Sequence, residues 1–85
     1  MAVYVNKLRR RFGGLSLCHL LADSLDELHA MATRIGLEPS LFNRDRIPHY
    51  DLSLTKRREA ISAGAVEIDR QQLAVLMQRF ANGAS

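Results

Sequence analysis

The sequence predicts a small α/β domain, in which a mixed sheet of three to four strands packs with two to three helices; an α+β arrangement is the alternative. Short apolar segments rich in β-branched and aromatic residues alternate with segments whose apolar residues recur every three or four positions. At 85 residues the chain has room for one core. We therefore predict a single domain over residues 1–85.

Two strands are predicted near the beginning of the chain. Residues 2–5 form an apolar run typical of a strand that is covered on both faces. Residues 15–21 alternate, which places His19 on one face together with leucines. Residues 9–14 are predicted to be the loop between the strands. Because this connection is too short for a parallel crossover, we expect the two strands to be antiparallel.

The helices are predicted from capping signals and apolar spacing. Ser24 and Glu27 form a capping box before the first helix, and Gly36 supplies its stop. Asp69 and Gln72 form a second capping box. Residues 37–48 are predicted to be a loop with one helical turn near Leu41-Phe42. Short strands are predicted at 49–52 and 65–68. Two further helices are predicted, one from about 53 to 63 that Gly64 ends and one at 69–82 that Gly83 ends.

The positive charge is concentrated in two parts of the chain, although the net charge is only +3. Such a basic surface suits phosphates, nucleic acid or an acidic protein partner, and the alternative is a solvated face that aids solubility. The first group is Lys7, Arg9, Arg10 and Arg11, and the second is Arg44, Arg46, Lys56, Arg57 and Arg58.

The sequence favours a cytoplasmic protein. Cys18 is the single cysteine, which excludes an intramolecular disulfide and fits a reducing compartment. The first residues lack the long apolar region of a signal peptide, and no apolar run approaches the length of a membrane span. We therefore expect no membrane partner. Self-association into a homo-oligomer could bury apolar surface that one small copy leaves exposed.

The segment His49–Arg58 carries most of the candidate binding residues. A helix start offers unpaired N–H groups and partial positive charge, which favour anions. Three consecutive cations at 56–58 oppose the usual preference for acids there, so they indicate a nearby carboxylate or phosphate. Asp51 would accept a ribose hydroxyl or hold an arginine; the structural alternative is that it caps the helix. The predicted ligand-binding set is His19, His49, Tyr50, Asp51, Lys56, Arg57 and Arg10.

No cofactor and no metal site are predicted. The three histidines invite a metal-site interpretation, but Glu27 and His29 point away from each other on a helix. Asp26 and His29, three residues apart, could hold one ion together, but no second local pair completes a tetrahedral site. An assembled site from His19, His29 and His49 is the alternative. Cys18 and His19 are neighbours on a strand and so face opposite ways, which argues against a nucleophile–base pair.

Three functions follow from these residues. The first is a non-catalytic module that binds a phosphorylated ligand, meaning a nucleotide, a signalling nucleotide or a nucleic-acid backbone. The second is a metal-dependent or histidine-based phosphodiesterase or nuclease that uses His19, His49 and Asp51. The third is a protein-interaction inhibitor of a host enzyme, in which the basic loops meet an acidic surface.

Several motifs together resemble a small family of bacterial and tailed-phage domains of unknown function. In chain order they are Met1–Val5, Cys18–Asp23, Glu27–Ala30, Arg34–Leu37, His49–Leu52 and Gly64–Glu67. The resemblance covers about residues 1–68 and leaves the helix at 69–82 as an extension of this chain.

This resemblance implies a phage or prophage setting, which fits counter-defence. It also implies that a polar set recurs in the family. Asn6 stands where the family pattern commonly has Asp, and Leu41-Phe42-Asn43 stands where Trp-Phe-Gln is usual. The implied set is His19, Asp23, Glu27, His29, His49, Tyr50, Asp51 and an arginine at 57–58.

Overall fold

A computed structural model of the chain describes residues 2–7, 10–12 and 15–81. In these residues a mixed sheet carries helices on both faces. The strands are β1 (Val3–Asn6), β2 (Arg10–Phe12), β3 (Leu15–Ala22), β4 (Phe42–Asn43), β5 (His49–Leu52) and β6 (Val66–Ile68); the helices are α1 (Leu25–Arg34), α2 (Leu54–Ser62) and α3 (Arg70–Ala81), with a 3₁₀ turn at Pro39–Leu41.

The central strand of the sheet is β3. Five strands follow the spatial order β4-β5-β3-β1-β6, and β2 pairs with β3 as well. The pairing of β1 with β3 is antiparallel, as predicted from the short connection, whereas β6 lies parallel to β1. The pairing of β5 with β3 is also antiparallel and sets His19 opposite Asp51. The mixed α/β class is therefore confirmed.

The sheet is larger than the three to four strands that the sequence predicts. Arg10–Phe12 forms β2 inside the predicted loop at 9–14, and Phe42–Asn43 forms β4 inside the predicted loop at 37–48. Both strands are short. The strand β2 pairs with the long strand β3, and β4 pairs with the buried strand β5, and this pairing overrides a local composition that is typical of loops. The predicted turn at Gly13-Gly14 and the helix stop at Gly83 lie outside the described residues.

The predicted helix ends are confirmed for α1 and α2. The Ser24 hydroxyl accepts a hydrogen bond from the Glu27 N–H at 3.3 Å at the start of α1. Gly36 follows this helix with a φ of +75°, and Gly64 follows α2 with a φ of +110°. L-residues with side chains rarely adopt these angles, so glycine is what allows the chain to reverse at each point.

Two apolar clusters lie on opposite faces of the sheet. On one face, α1 and α2 pack against the alternate residues of β3 that include Cys18 and Leu20, which are 1% and 0% exposed. On the other face, α3 supplies Leu76 to a smaller cluster with Leu21, Ile47 and Ile68. Because α3 covers this second face, it is part of the core. In the described part of the chain, no helix has the length and apolar character that a bilayer span requires.

The capping box at the start of α3 allows the contribution of this helix to stability to be tested. The Asp69 carboxylate accepts from the Gln72 N–H at 2.8 Å, and the Gln72 side chain accepts from the Asp69 N–H at 2.9 Å. We predict that Asp69→Ala lowers the free energy of unfolding by about 1 kcal/mol, since it removes the carboxylate that accepts from the Gln72 N–H. Urea denaturation measures this loss. The exposed neighbour Gln71→Ala is the control and should change stability by less than about 0.5 kcal/mol.

Candidate functional site

Three polar side chains converge on the α3 face of the sheet. His49 and Asp51 are two residues apart in β5 and therefore point to the same face, and the strand register places His19 of β3 directly opposite Asp51. The Asp51 Oδ1 atom lies 3.6 Å from His19 Nε2 and 3.7 Å from His49 Nε2. One donor atom from each of the three residues lies within 4.8 Å of the others. We call these residues the histidine cluster.

The histidine cluster opens into a cavity of about 340 Å³. The two imidazole rings are stacked at a tilt of 38°, with 4.3 Å between their centroids. The exposed fraction of the side chain is 8% for His49, 27% for His19 and 39% for Asp51, so the cluster is rooted in the sheet and reaches solvent at the carboxylate. The other lining residues are Asn6, Asn43, Asp45, Arg46, Ile47, Leu73 and Met77.

A backbone carbonyl fixes which nitrogen of His49 carries a proton. The Nδ1 atom lies 2.7 Å from the carbonyl oxygen of Ile47. A carbonyl oxygen only accepts hydrogen bonds, so Nδ1 must be the donor. In the neutral ring the lone pair is therefore on Nε2, the atom that faces Asp51. The ring is presented to the cavity with its basic nitrogen outward.

The loop before β5 is folded tightly around the cavity. The Asn43 side chain accepts from the Asp45 N–H at 2.7 Å, and the Asp45 carbonyl accepts from the Ile47 N–H at 2.8 Å. The second bond closes a three-residue turn around Arg46, whose φ is +66°. This is a sparsely populated conformation for a residue with a side chain. The turn holds Arg46 at the wall of the cavity and aims the Ile47 carbonyl at His49.

Asn6 supports the cluster from the neighbouring strand. Its side chain is 4% exposed, and its Oδ1 atom accepts a hydrogen bond from the His19 N–H at 2.9 Å. The Arg57 Nε atom donates to the Asn6 carbonyl over a long 3.5 Å, and its Nη2 atom pairs with Glu67 at 2.9 Å. The amide at position 6 serves as an acceptor here, as the aspartate of the family pattern also could.

Tyr50, predicted to bind ligand, lies on the opposite face of the sheet. It is 4% exposed, and its hydroxyl is 2.7 Å from His29 Nδ1. Burial raises the pKa of the Tyr50 phenol above its usual value. His29 also packs edge-on against Phe42, with 4.8 Å between ring centroids. The structure therefore separates His29 from His19 and His49, and Asp51 replaces it as their neighbour.

Lys56 and Arg57, predicted to bind an anion at the start of α2, make contacts within the protein. The Lys56 Nζ atom donates to the Ile35 carbonyl at the end of α1 at 2.6 Å and pairs with Glu59 at 3.4 Å. A cation at a helix C-terminus is stabilised by the carbonyl dipoles. The carboxylates that the sequence argument called for are thus Glu59 and Glu67. The side chain of Arg10 lies outside the residues whose side chains are described.

The predicted ligand-binding set lacks the loop residues of the cavity wall, above all Asp45 and Arg46, although the second basic group includes Arg46. One local signal was available, because His49 and Asp51 are two apart in a predicted strand and must share a face. The approach of His19 to Asp51 depends on which strands pair and in which register, and no local pattern gives that. A second cavity, beside Ala2, Ala30, Ala63 and Val66, has mainly apolar walls that also include Glu27 and Arg34, and it holds no comparable cluster of histidines and carboxylates among the described residues.

The Lys56 contact predicts a structural effect of its removal. We expect Lys56→Met to lower the free energy of unfolding by about 1 kcal/mol, because the Ile35 carbonyl loses a charged donor. Thermal or urea denaturation measures the change. Arg58→Met, an exposed cation two residues further along α2, is the matched control and should have an effect under about 0.5 kcal/mol. An equal effect of the two variants would contradict the structural role of Lys56.

Comparison with known proteins places the chain in one family. A family model described as "Protein of unknown function (DUF4031)" matches residues 3–80. The match continues past residue 68, where we expected the family resemblance to end, and takes in most of α3. Neither the curated proteins nor the solved structures contain a match. Because the family model spans nearly the whole sequence, the chain belongs to the DUF4031 family, whose function is unknown.

Proposed function

We propose that this chain is a small binding module that recognises a phosphorylated ligand in the cavity of the histidine cluster. The ligand class is a nucleotide, a signalling nucleotide or a nucleic-acid backbone. The observation that carries this proposal is the convergence of His19, His49 and Asp51 in a cavity whose wall also holds Arg46. Imidazole and guanidinium groups are common partners of phosphate oxygens.

The size and lining of the cavity support a small ligand. Its volume of about 340 Å³ falls in the range of small-molecule sites. Leu73 and Met77 of α3 give it an apolar wall, and the polar groups are gathered on the strand side and the loop. One apolar wall with a few convergent polar groups is the usual composition of a binding site. A base or sugar would contact α3 while the phosphate meets the polar wall.

Arg46 takes the part that the sequence assigned to Arg57. Arg57 is committed to Glu67, and its side chain is 16% exposed. Arg46 lies in an exposed turn at the cavity wall, and its strained backbone angle is typical of residues held in place for function. Its guanidinium can form two parallel hydrogen bonds to one phosphate group.

A charge substitution at the cavity wall tests this binding mode. We predict that Arg46→Gln weakens binding of adenosine monophosphate by roughly ten- to a hundredfold, the scale of a lost charge-assisted hydrogen bond. Isothermal titration calorimetry measures the affinity, with inorganic phosphate and a short oligonucleotide as further probes.

Arg44→Gln is the matched control for this experiment. Arg44 is two residues away in the same loop but lies over the Phe42 ring, 5.4 Å from its centroid, and does not line the cavity. It carries the same charge, so a general electrostatic effect would weaken both variants equally. Equal losses, or no binding of any of the three probes by the natural sequence, would contradict the proposal.

A phosphodiesterase or nuclease is the second candidate, and the His–Asp–His arrangement favours it. Two imidazoles beside a carboxylate can pass a proton to and from a reacting group. In hydrolysis of a phosphodiester, water adds to phosphorus, one P–O bond breaks, and an alcohol and a phosphate monoester leave. We predict that any release of nitrophenol from bis(p-nitrophenyl) phosphate is lost in His19→Gln and kept in His29→Gln. Substrate that stays intact under all conditions would remove this candidate.

We also propose a cellular compartment, an origin and an oligomeric state for the protein. We infer a reducing cytoplasm, which is supported by the single cysteine, 1% exposed in the core. A phage or prophage origin with a counter-defence role is supported by the family resemblance of the motifs. Self-association is supported by the position of β6 at the edge of the sheet, where Val66 is 52% exposed.

A further inference from the structure

We propose that the histidine cluster binds one divalent transition-metal cation of the Zn²⁺ class, through Nε2 of His19, Nε2 of His49 and Oδ1 of Asp51. We further propose that a ligand phosphate reaches the protein through this ion, and this second clause rests on the function proposed above. The first clause concerns the metal alone and is testable without any phosphate.

The distances from Asp51 to the two histidines are close to those around a shared ion. The two Nε2 atoms lie 3.6 and 3.7 Å from Asp51 Oδ1. These distances exceed the range of a direct hydrogen bond, about 2.7–3.2 Å. Two ligands at about 2.1 Å from a tetrahedral ion are about 3.4 Å apart. Shifts of a few tenths of an ångström at Asp51, the most exposed member, would bring Oδ1 to about this separation from each Nε2 atom, with the ion bound between them.

The hydrogen bond of His49 Nδ1 selects the ring tautomer that a metal ligand needs, with the lone pair on Nε2. Its Nδ1–H donates to the Ile47 carbonyl at 2.7 Å, which leaves the lone pair on the nitrogen that faces Asp51. Metal-binding histidines commonly donate their other ring nitrogen to a carbonyl or carboxylate, which fixes the ring orientation. The side chain is 8% exposed, so the ring has little freedom to turn away.

The scaffold of the site is a paired segment of the sheet. His19 and Asp51 are cross-strand neighbours in the β3–β5 ladder, and His49 is two residues from Asp51 on the same strand. Donors on paired strands are held more precisely than donors on loops. The His19 backbone is tied further by its hydrogen bond to the buried Asn6 side chain.

The charge of the cavity favours a cation between the donors. Asp51 and Asp45 both line it, against a single arginine, Arg46, among the described lining residues. A bare phosphate beside Asp51 would meet a like charge, whereas a divalent cation attracts both groups. Three protein ligands also leave at least one coordination position open toward the cavity, as in zinc sites that bind water or substrate.

The donor types determine the class of metal. Two imidazole nitrogens and one carboxylate oxygen suit zinc, cobalt, nickel or iron(II). Magnesium and calcium prefer sites built from oxygen ligands, and here only one of the three donors is an oxygen. We therefore expect selection of transition metals over magnesium.

Calorimetric titration of the chain with ZnCl₂ alone tests the metal site. We expect one ion per chain, no heat from MgCl₂ up to about 1 mM, and affinity losses of roughly tenfold or more for Asp51→Asn and His19→Gln. Asp51→Asn keeps the shape of a half-exposed side chain, so the fold should persist, and circular dichroism checks this. Visible absorption of the Co²⁺-loaded chain gives an independent readout of nitrogen and oxygen ligation.

Two matched variants control for incidental binding of zinc to surface groups. Asp45→Asn removes another carboxylate from the same cavity, and His29→Gln removes a histidine from the opposite face of the sheet. His29→Gln should bind Zn²⁺ as the natural sequence does, and Asp45→Asn, which removes a nearby charge but no proposed ligand, should lose clearly less affinity than Asp51→Asn. Zinc affinity that is unchanged by Asp51→Asn and His19→Gln, or reduced as much by the two controls, would overturn the proposed site.

A second titration separates the metal site from the phosphate function. Adenosine monophosphate is added to the zinc-loaded chain and to the chain in EDTA. Binding only to the zinc-loaded chain supports both clauses of the proposal. Zinc binding at the cluster with no response to adenosine monophosphate, inorganic phosphate or the short oligonucleotide overturns the proposed function and leaves the metal site standing. Equal nucleotide binding in EDTA overturns the metal bridge and leaves the proposed function standing.

Discussion

The antiparallel pairing of β3 with β5 is the interaction on which the site depends. This register sets His19 opposite Asp51, and the two-residue period of β5 then adds His49 on the same face. A slip of one residue in the register would turn His49 and Asp51 into the apolar cluster under α1 and α2. It would also expose Tyr50 and Leu52, which are 4% and 0% exposed in that cluster. The packing of the core therefore enforces the geometry of the polar cluster on the other face.

The two faces of β5 divide its polar residues between the core and the cavity. Tyr50 points into the larger core, where its hydroxyl meets His29. His49 and Asp51 point into the cavity that α3 partly closes. Four consecutive residues thus form one wall of the core and one wall of the cavity. Neighbouring polar residues of one short strand can therefore have entirely different physical roles.

The cations at the start of α2 show how tertiary contacts change the meaning of a charge pattern. Judged by helix electrostatics alone, positive side chains at 56–58 indicate a bound anion. In the folded chain, Lys56 reaches the carbonyl end of α1, and Arg57 reaches Glu67 on β6. Lys56 is unfavourably placed in the first turn of α2, but the carbonyl dipoles at the end of α1 stabilise its charge. The cation at the cavity wall is instead Arg46, a residue of the loop whose position depends on an Asx-type contact and a tight turn.

Much of the local structure was determined by the sequence itself, since helix caps and glycine stops act over three or four residues. Ser24 and Glu27, Asp69 and Gln72, and the two glycines after α1 and α2 are all of this kind. The antiparallel pairing of β1 and β3 followed from the length of their connection. The short strands β2 and β4 did not follow, because each has only two or three residues of loop-like composition and forms through its pairing with a neighbouring strand. The tertiary structure alone decided that His19 meets His49 and Asp51 while His29 and Tyr50 lie on the far side of the sheet. Register and strand order are properties of the whole packed core, and no window of neighbouring residues contains them.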